Sequence, residues 1–161
     1  MGLLIVRHGD ASVAAKDSER ELSDLGRADI KDAANFLITS DYTADRCLVS
    51  PYVRTQQTLK ILGSQIELGE CSTSDALVPE HSLEASVANL EAAYHGELAI
   101  ISHQPLVSKL VAWCLTGDSY DLQVPSLPPG GMAYIEMDIF APGCGRLSWL
   151  RVPPDYTVNL R

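Results

Sequence analysis

The sequence predicts an α/β fold, a three-layer sandwich whose mostly parallel central sheet has helices on both faces and a C-terminal antiparallel hairpin. Three observations lead there. Three short, near-continuous apolar runs, Leu3 to Val6, Cys47 to Val49 and Leu98 to Ile101, lack the alternation of half-exposed strands and are too short for helices. Strands covered on both faces read this way. A helix signal follows each run, and strand-helix alternation builds parallel sheets through right-handed crossovers. The last stretch differs, because after the Pro/Gly loop Pro125 to Gly131 two alternating segments flank Ala141-Pro142-Gly143-Cys144-Gly145. That is a hairpin pattern.

In chain order, the first strand is followed by a helix that Ser23 caps, with Ile30, Ala33, Ala34 and Leu37 on one side at i, i+3, i+4, i+7 spacing. The second strand runs into Ser50-Pro51, read as an N-cap with proline at the first helical position. Thr55, Thr58, Leu59 and Leu62 then repeat at helical spacing as far as Gly63. Ser82 caps a third helix that carries Leu83, Val87, Leu90 and Tyr94 and ends at Gly96. After the third strand, Gln104-Pro105 opens a helix whose stripe is Leu106, Val107, Leu110, Val111 and Cys114, with Gly117 as its stop. Met132 to Ile139 and Arg146 to Val152 form the hairpin, and residues 153–161 a tail or final edge segment. No repeat, low-complexity tract or linker divides residues 1–161, so the chain is expected to be one domain.

Composition narrows the function. The 161 residues carry 12 Lys+Arg against 21 Asp+Glu, a formal net charge of −9, and 46% are hydrophobic. That content supports a core and argues against disorder. The acidic excess, without a Lys/Arg cluster, argues against a nucleic-acid backbone or an anionic membrane as partner. The N-terminal segment meets charge after four apolar positions, too few for a secretory leader, and no run of ~18 apolar residues occurs. A cytoplasmic location is expected. Cys47, Cys71, Cys114 and Cys144 are widely spaced and read as reduced, buried thiols. His8, His81, His95 and His103 show no metal-ligand spacing, and no cofactor is implied. His95 reads as a cation at a helix C-terminus.

The informative residues lie at strand ends. Arg7-His8-Gly9 follows the first strand, Ser50 to Arg54 the second, and Ser102-His103 the third. In an open parallel sheet the carboxyl edge is where ligands bind, so residues remote in sequence share one pocket with two arginines and two histidines. Arginine forks match phosphate oxygens, and a helix N-terminus favours an anion. A neutral imidazole is a competent nucleophile toward phosphorus, and nearby cations keep it unprotonated. Gly9, without a Cβ, lets the loop backbone approach the substrate.

These motifs, together with Leu22-Ser23-x-x-Gly26, Ser50-Pro51-x-x-Arg54-Thr55-x-Gln57-Thr58 and Ser102-His103 before a helix, resemble in kind and order those of the histidine phosphatase superfamily, also called phosphoglycerate mutase-like. The resemblance spans roughly residues 3 to 115, and the terminal hairpin is compatible with it. Within the superfamily the chain is most similar to short bacterial phosphohistidine phosphatases of the SixA type. It shares Arg7-His8-Gly9-Asp10-Ala11, Val49-Ser50-Pro51-Tyr52 and Ile101-Ser102-His103-Gln104-Pro105-Leu106-Val107, and has no long insertion.

The resemblance implies a two-step, metal-independent phosphoryl transfer. His8 is the nucleophile and transient phosphohistidine, while Arg7, Arg54 and His103 bind the phosphoryl group and stabilise its charge. Arg20 matches a family position that also touches phosphate. Glu80, in Val78-Pro79-Glu80-His81, is the candidate general acid, although the glycine and tryptophan pattern of larger members is missing around it. The expected substrate is a phosphorylated protein, either the histidine phosphotransfer domain of a signalling relay or a phosphocarrier, acted on by a monomer. The alternative is a small-molecule phosphomonoesterase for sugar or nucleotide phosphates, with a deep pocket walled by residues 118–131. A phosphate-binding protein without chemistry is disfavoured because the nucleophile and every clamp residue are present.

Overall fold

The computed structural model describes residues 1–157. Its elements are β1 (Gly2–Arg7), α1 (Asp24–Thr39), β2 (Arg46–Val49), α2 (Val53–Gly63), β3 (Glu70–Thr73), α3 (Leu83–Ala93), β4 (Glu97–Ser102), α4 (Leu106–Thr116), β5 (Met132–Glu136) and β6 (Arg146–Arg151). The six strands form one sheet in the order β3-β2-β4-β1-β5-β6. β1 to β4 run parallel, and β5 and β6 join antiparallel beyond β1. The expected α/β sandwich with its terminal hairpin is therefore observed.

Alternation along β1 sorts the core into two layers. Leu3 and Ile5 pack with Leu90 of α3 and with Leu106, Val107, Leu110 and Val111 of α4. Leu4 and Val6 face the other way, toward Ile30, Ala33, Ala34 and Leu37 of α1 and Leu62 of α2. Successive strand residues point to opposite faces, so a strand apolar at every position must be covered twice. This double burial holds the carboxyl edge rigid. Truncating a buried leucine here costs about 2–5 kcal/mol.

Local signals set several boundaries as expected. Ser23 Oγ accepts from Gly26 N to cap α1, Ser82 Oγ accepts from Ala85 N to cap α3, and Gly117 ends α4 at a φ of 80°. Others differ. Ser50 does not cap α2. Its N–H is still paired with the Ile101 carbonyl, so it remains part of the sheet edge, and the helix begins three residues later behind Tyr52. β3 was not expected because all four of its residues are exposed, and an edge strand without an apolar run carries no burial pattern. Cys47 and Cys114 are buried, but Cys71 on that edge and Cys144 in the hairpin turn are exposed free thiols. Of the expected tail, residues 158–161 lie outside the described residues. Tyr156 is buried and donates to the Gly130 carbonyl.

Candidate active site

The three strand-end motifs converge. β1 ends in Arg7 and delivers His8 just beyond it, β2 delivers Ser50, and β4 delivers His103, with β1 and β2 both paired to β4. His8, Arg54 and His103 are 6%, 3% and 1% exposed, an unusual burial for groups of this kind. The His8 and His103 ring centroids lie 5.1 Å apart.

The tautomer of His8 follows from its partners. Nδ1 lies 2.7 Å from the Gly9 carbonyl oxygen, which can only accept, so Nδ1 carries the hydrogen. Nε2 is left with its lone pair, and Arg54 Nε donates to it across 3.0 Å. Burial pushes the His8 pKa down to about 4 against an upward pull from the Gly9 carbonyl, and Arg54, Arg7 and Arg20 each lower it by a lesser amount. The ring is neutral at physiological pH and presents a nucleophilic nitrogen.

The same loop is fixed from below. Gly9 N–H donates to Thr58 Oγ1 at 3.3 Å, and Thr58 Oγ1 donates to the Arg54 carbonyl, tying the first motif to α2. A Cβ on Gly9 would lie 2.8 Å from the Gly26 carbonyl oxygen and 2.9 Å from Ile30. The missing side chain thus admits α1, and the Gly9 N–H is engaged by Thr58 Oγ1. Asp10 completes the join, accepting from Ser23 N and from Ser23 Oγ at 2.6 Å.

His103 is held by Ser50, whose Oγ lies 2.7 Å from Nε2. Ser50 Oγ also accepts from Tyr52 N, so the hydroxyl ties the end of β2 and the entry to α2 to the His103 ring. Burial first, then the charges of His8 and Arg54, lower the His103 pKa to about 2, keeping this ring neutral too. Arg7 donates from one Nη to the Leu127 carbonyl at 2.8 Å, and burial followed by Arg54 lowers its pKa. Four buried side-chain polar atoms among the described residues have no hydrogen-bond partner, and two of them are Arg7 Nε and His103 Nδ1. A buried polar atom left unpaired costs about 1–3 kcal/mol.

Sequence reasoning missed one residue. Asp17 accepts from Arg54 twice, through its carbonyl at 2.6 Å and its carboxylate at 2.9 Å, and takes Arg20 on its other carboxylate oxygen at 3.3 Å. An acid in a polar loop carries no signal alone, and its place between Arg54 and Arg20 exists only in the folded chain. Burial acts to raise the Asp17 pKa, but hydrogen bonds from Arg54 and Arg20 outweigh it and hold the carboxyl below its ordinary value. Arg20 also donates to the Ser12 and Ala11 carbonyls, so it braces the loop, and its positive charge acts on His8. Glu80 is exposed and meets the site through Tyr52, whose hydroxyl donates to it at 2.7 Å. The Tyr52 ring in turn lies 5.0 Å from the His103 ring and 5.1 Å below the Arg54 guanidinium. Among the described residues no group of three or more His, Cys, Asp or Glu is arranged to hold a metal ion, and no helix is long and apolar enough to cross a membrane.

Comparison with known proteins agrees with this geometry. Residues 3–78 match the histidine phosphatase superfamily (branch 1). The chain is 32% identical to phosphohistidine phosphatase SixA of Escherichia coli K12 over 158 residues, covering 95% of this chain and 94% of that one. It is 30% identical to a SixA homolog of Haemophilus influenzae over 126 residues, 70% of this chain and 76% of the relative. A solved structure of the protein histidine phosphatase SixA complexed with tungstate superposes with a TM-score of 0.84 at 32% identity, covering 95% of this chain and 97% of that one.

Proposed function

The chain belongs to the histidine phosphatase superfamily, and from that premise we propose that it removes the phosphoryl group from a phosphohistidine on a protein, with His8 as nucleophile. The observation that carries the reading is the His8 Nε2 lone pair, buried among Arg54, Arg7 and His103. The full-length likeness to SixA supports the choice of substrate class.

In the first step His8 Nε2 forms a bond to phosphorus while the substrate's N–P bond breaks. Arg54 Nε–H, released from His8, turns to a phosphoryl oxygen. Arg7 Nε–H and His103 Nδ1–H take others. Preorganised donors in a water-poor site are worth several kcal/mol at the transition state. The leaving imidazole departs neutral once its distal nitrogen holds a proton, and imidazole titrates near 6.5, so solvent supplies that proton. Water then attacks the phosphoryl group on His8, inorganic phosphate leaves, and Nε2 regains its lone pair.

A feature beside the site favours a protein substrate over a small one. Residues 119–122, residues 124–126 and the start of α4 line an open groove of about 400 Å³ that begins at Gln104, next to His103. Gln104 Nε2 donates to Ser126 Oγ and to the same Leu127 carbonyl that takes Arg7. Tyr120 and Leu122 on this rim are 72% and 98% exposed. An open flank with apolar side chains standing in solvent supports a folded protein as the partner. We assign the histidine phosphotransfer domain of a signalling relay, or a phosphocarrier, as the partner class. Incubation with a radiolabelled phosphorylated phosphotransfer domain tests the reading: label is expected to leave the domain within minutes, and label that lasts as long as in buffer refutes it.

A further inference from the structure

Arg54 has two tasks that pull in different directions. In the free site its Nε–H covers the His8 lone pair, yet for phosphorus to reach Nε2 that bond must break. Once released, a guanidinium on a flexible side chain is free to turn away, and the planar face of Tyr52 at 5.1 Å offers it no direction within the plane. What remains is residue 17. Its carbonyl and its carboxylate grip the two Nη atoms at 2.6 and 2.9 Å, end-on, leaving the Nε edge turned inward. The carboxylate is itself aimed by Arg20 at 3.3 Å, and Arg20 is pinned to the Ser12 and Ala11 carbonyls at 2.9 and 3.0 Å. An Arg20–Asp17–Arg54 chain thus runs from the surface loop to the nucleophile.

We propose that Asp17 is a positioning residue of the phosphoryl clamp: its carboxylate holds the Arg54 guanidinium in place while Arg54 Nε transfers from His8 Nε2 to the incoming phosphoryl group. The proposal rests on the phosphoryl-transfer reading above. Asp17 touches neither the substrate nor the reacting atoms, and it acts on the step in which Arg54 changes partner. Its removal therefore affects turnover more than capture, since Arg7 and His103 still meet the anion.

The test compares Asp17→Ala with Asp17→Asn. Asparagine has no charge but keeps an oxygen that accepts from Nη, whereas alanine loses both. Each variant is assayed for turnover of a phosphorylated phosphotransfer domain and for tungstate binding by calorimetry. Asp17→Ala is expected to lose about tenfold or more in kcat with KM and tungstate affinity shifted by less than about threefold, as for an interaction made chiefly in the transition state. Asp17→Asn is expected to recover most of the kcat. Equal losses in the two variants would make the charge, not the grip, responsible and overturn the proposal. So would wild-type kcat in Asp17→Ala, or a loss that vanishes once activity is referred to the folded fraction. A wild-type protein that neither turns over the domain nor binds tungstate would overturn the phosphatase reading and this proposal together.

Discussion

Arg54 donates its Nε–H to Nε2 of His8 across 3.0 Å, so the nitrogen placed to attack is covered by the cation placed to bind its target. The pairing explains how a histidine can lie buried, neutral and aimed without a bound substrate. Nδ1 is held by the Gly9 carbonyl at 2.7 Å and Nε2 by Arg54, so both ring nitrogens are satisfied until a phosphoryl group displaces one of them.

The fork of Arg54 is expected to matter beyond its charge. Arg54→Ala should lose about 10²–10³-fold in kcat/KM, the range for one transition-state donor. Arg54→Lys keeps the charge but lacks the planar fork that meets His8 and both acceptors of Asp17, so steady-state kinetics should show it recovering less than tenfold. A lysine variant equal to wild type would place the role in charge alone.

Ser50 was read from the sequence as a helix cap and instead holds His103 at 2.7 Å. Ser50→Ala frees His103 Nε2 inside the core. A loss of about 1–3 kcal/mol in stability from the unpaired nitrogen, with a fall in kcat of about tenfold, is the expected outcome in denaturant melts and turnover assays. If Ser50→Ala melts and turns over like wild type, the pair has no such role.

The pH dependence of His8 has a definite sign. Its folded pKa is about 4 against an ordinary 6.5, so the unfolded chain takes up a proton that the folded chain refuses. This group's contribution to folding stability is therefore present above about 6.5 and is lost as pH falls toward 4. The nucleophile should stay neutral down to about pH 5. A ring-resolved NMR titration should give a midpoint near 4 for His8, and a midpoint near 6.5 would contradict the burial and cation argument.

Glu80 separates two leaving groups. A phosphohistidine leaves as imidazole with a proton from solvent, whereas an alkoxide needs an acid at hand, a contribution of about 10²–10⁴-fold. Glu80→Gln is expected to change phosphohistidine turnover by less than about threefold and to depress any hydrolysis of an alkyl phosphate by about tenfold or more. Parallel assays on the two substrates check this. A large loss on phosphohistidine would make Glu80 an acid in the main reaction.

Legibility in the sequence followed burial. Leu3 to Val6 and Leu98 to Ile101 are wholly buried, so their apolar runs declared the central strands, and Arg7, His8, Arg54 and His103 were found by counting from strand ends. β3 has no buried residue and left no pattern. Ser50 misled because a serine before proline looks alike at a helix start and at a strand end; only pairing with Ile101 decides. Asp17 was illegible for a different reason. Its contacts reach 37 residues along the chain to Arg54, and no local spacing encodes a meeting that the whole fold arranges.

In the proposed reaction phosphorus passes through Nε2 of His8. Rapid quenching of the protein with phosphorylated phosphotransfer domain, followed by peptide mass spectrometry and ³¹P NMR, tests it most directly. One phosphoryl group is expected on His8, attached at Nε2 and absent from His8→Ala. Phosphate released with no labelled protein at any quench time, or label on Nδ1 or on another residue, would contradict it.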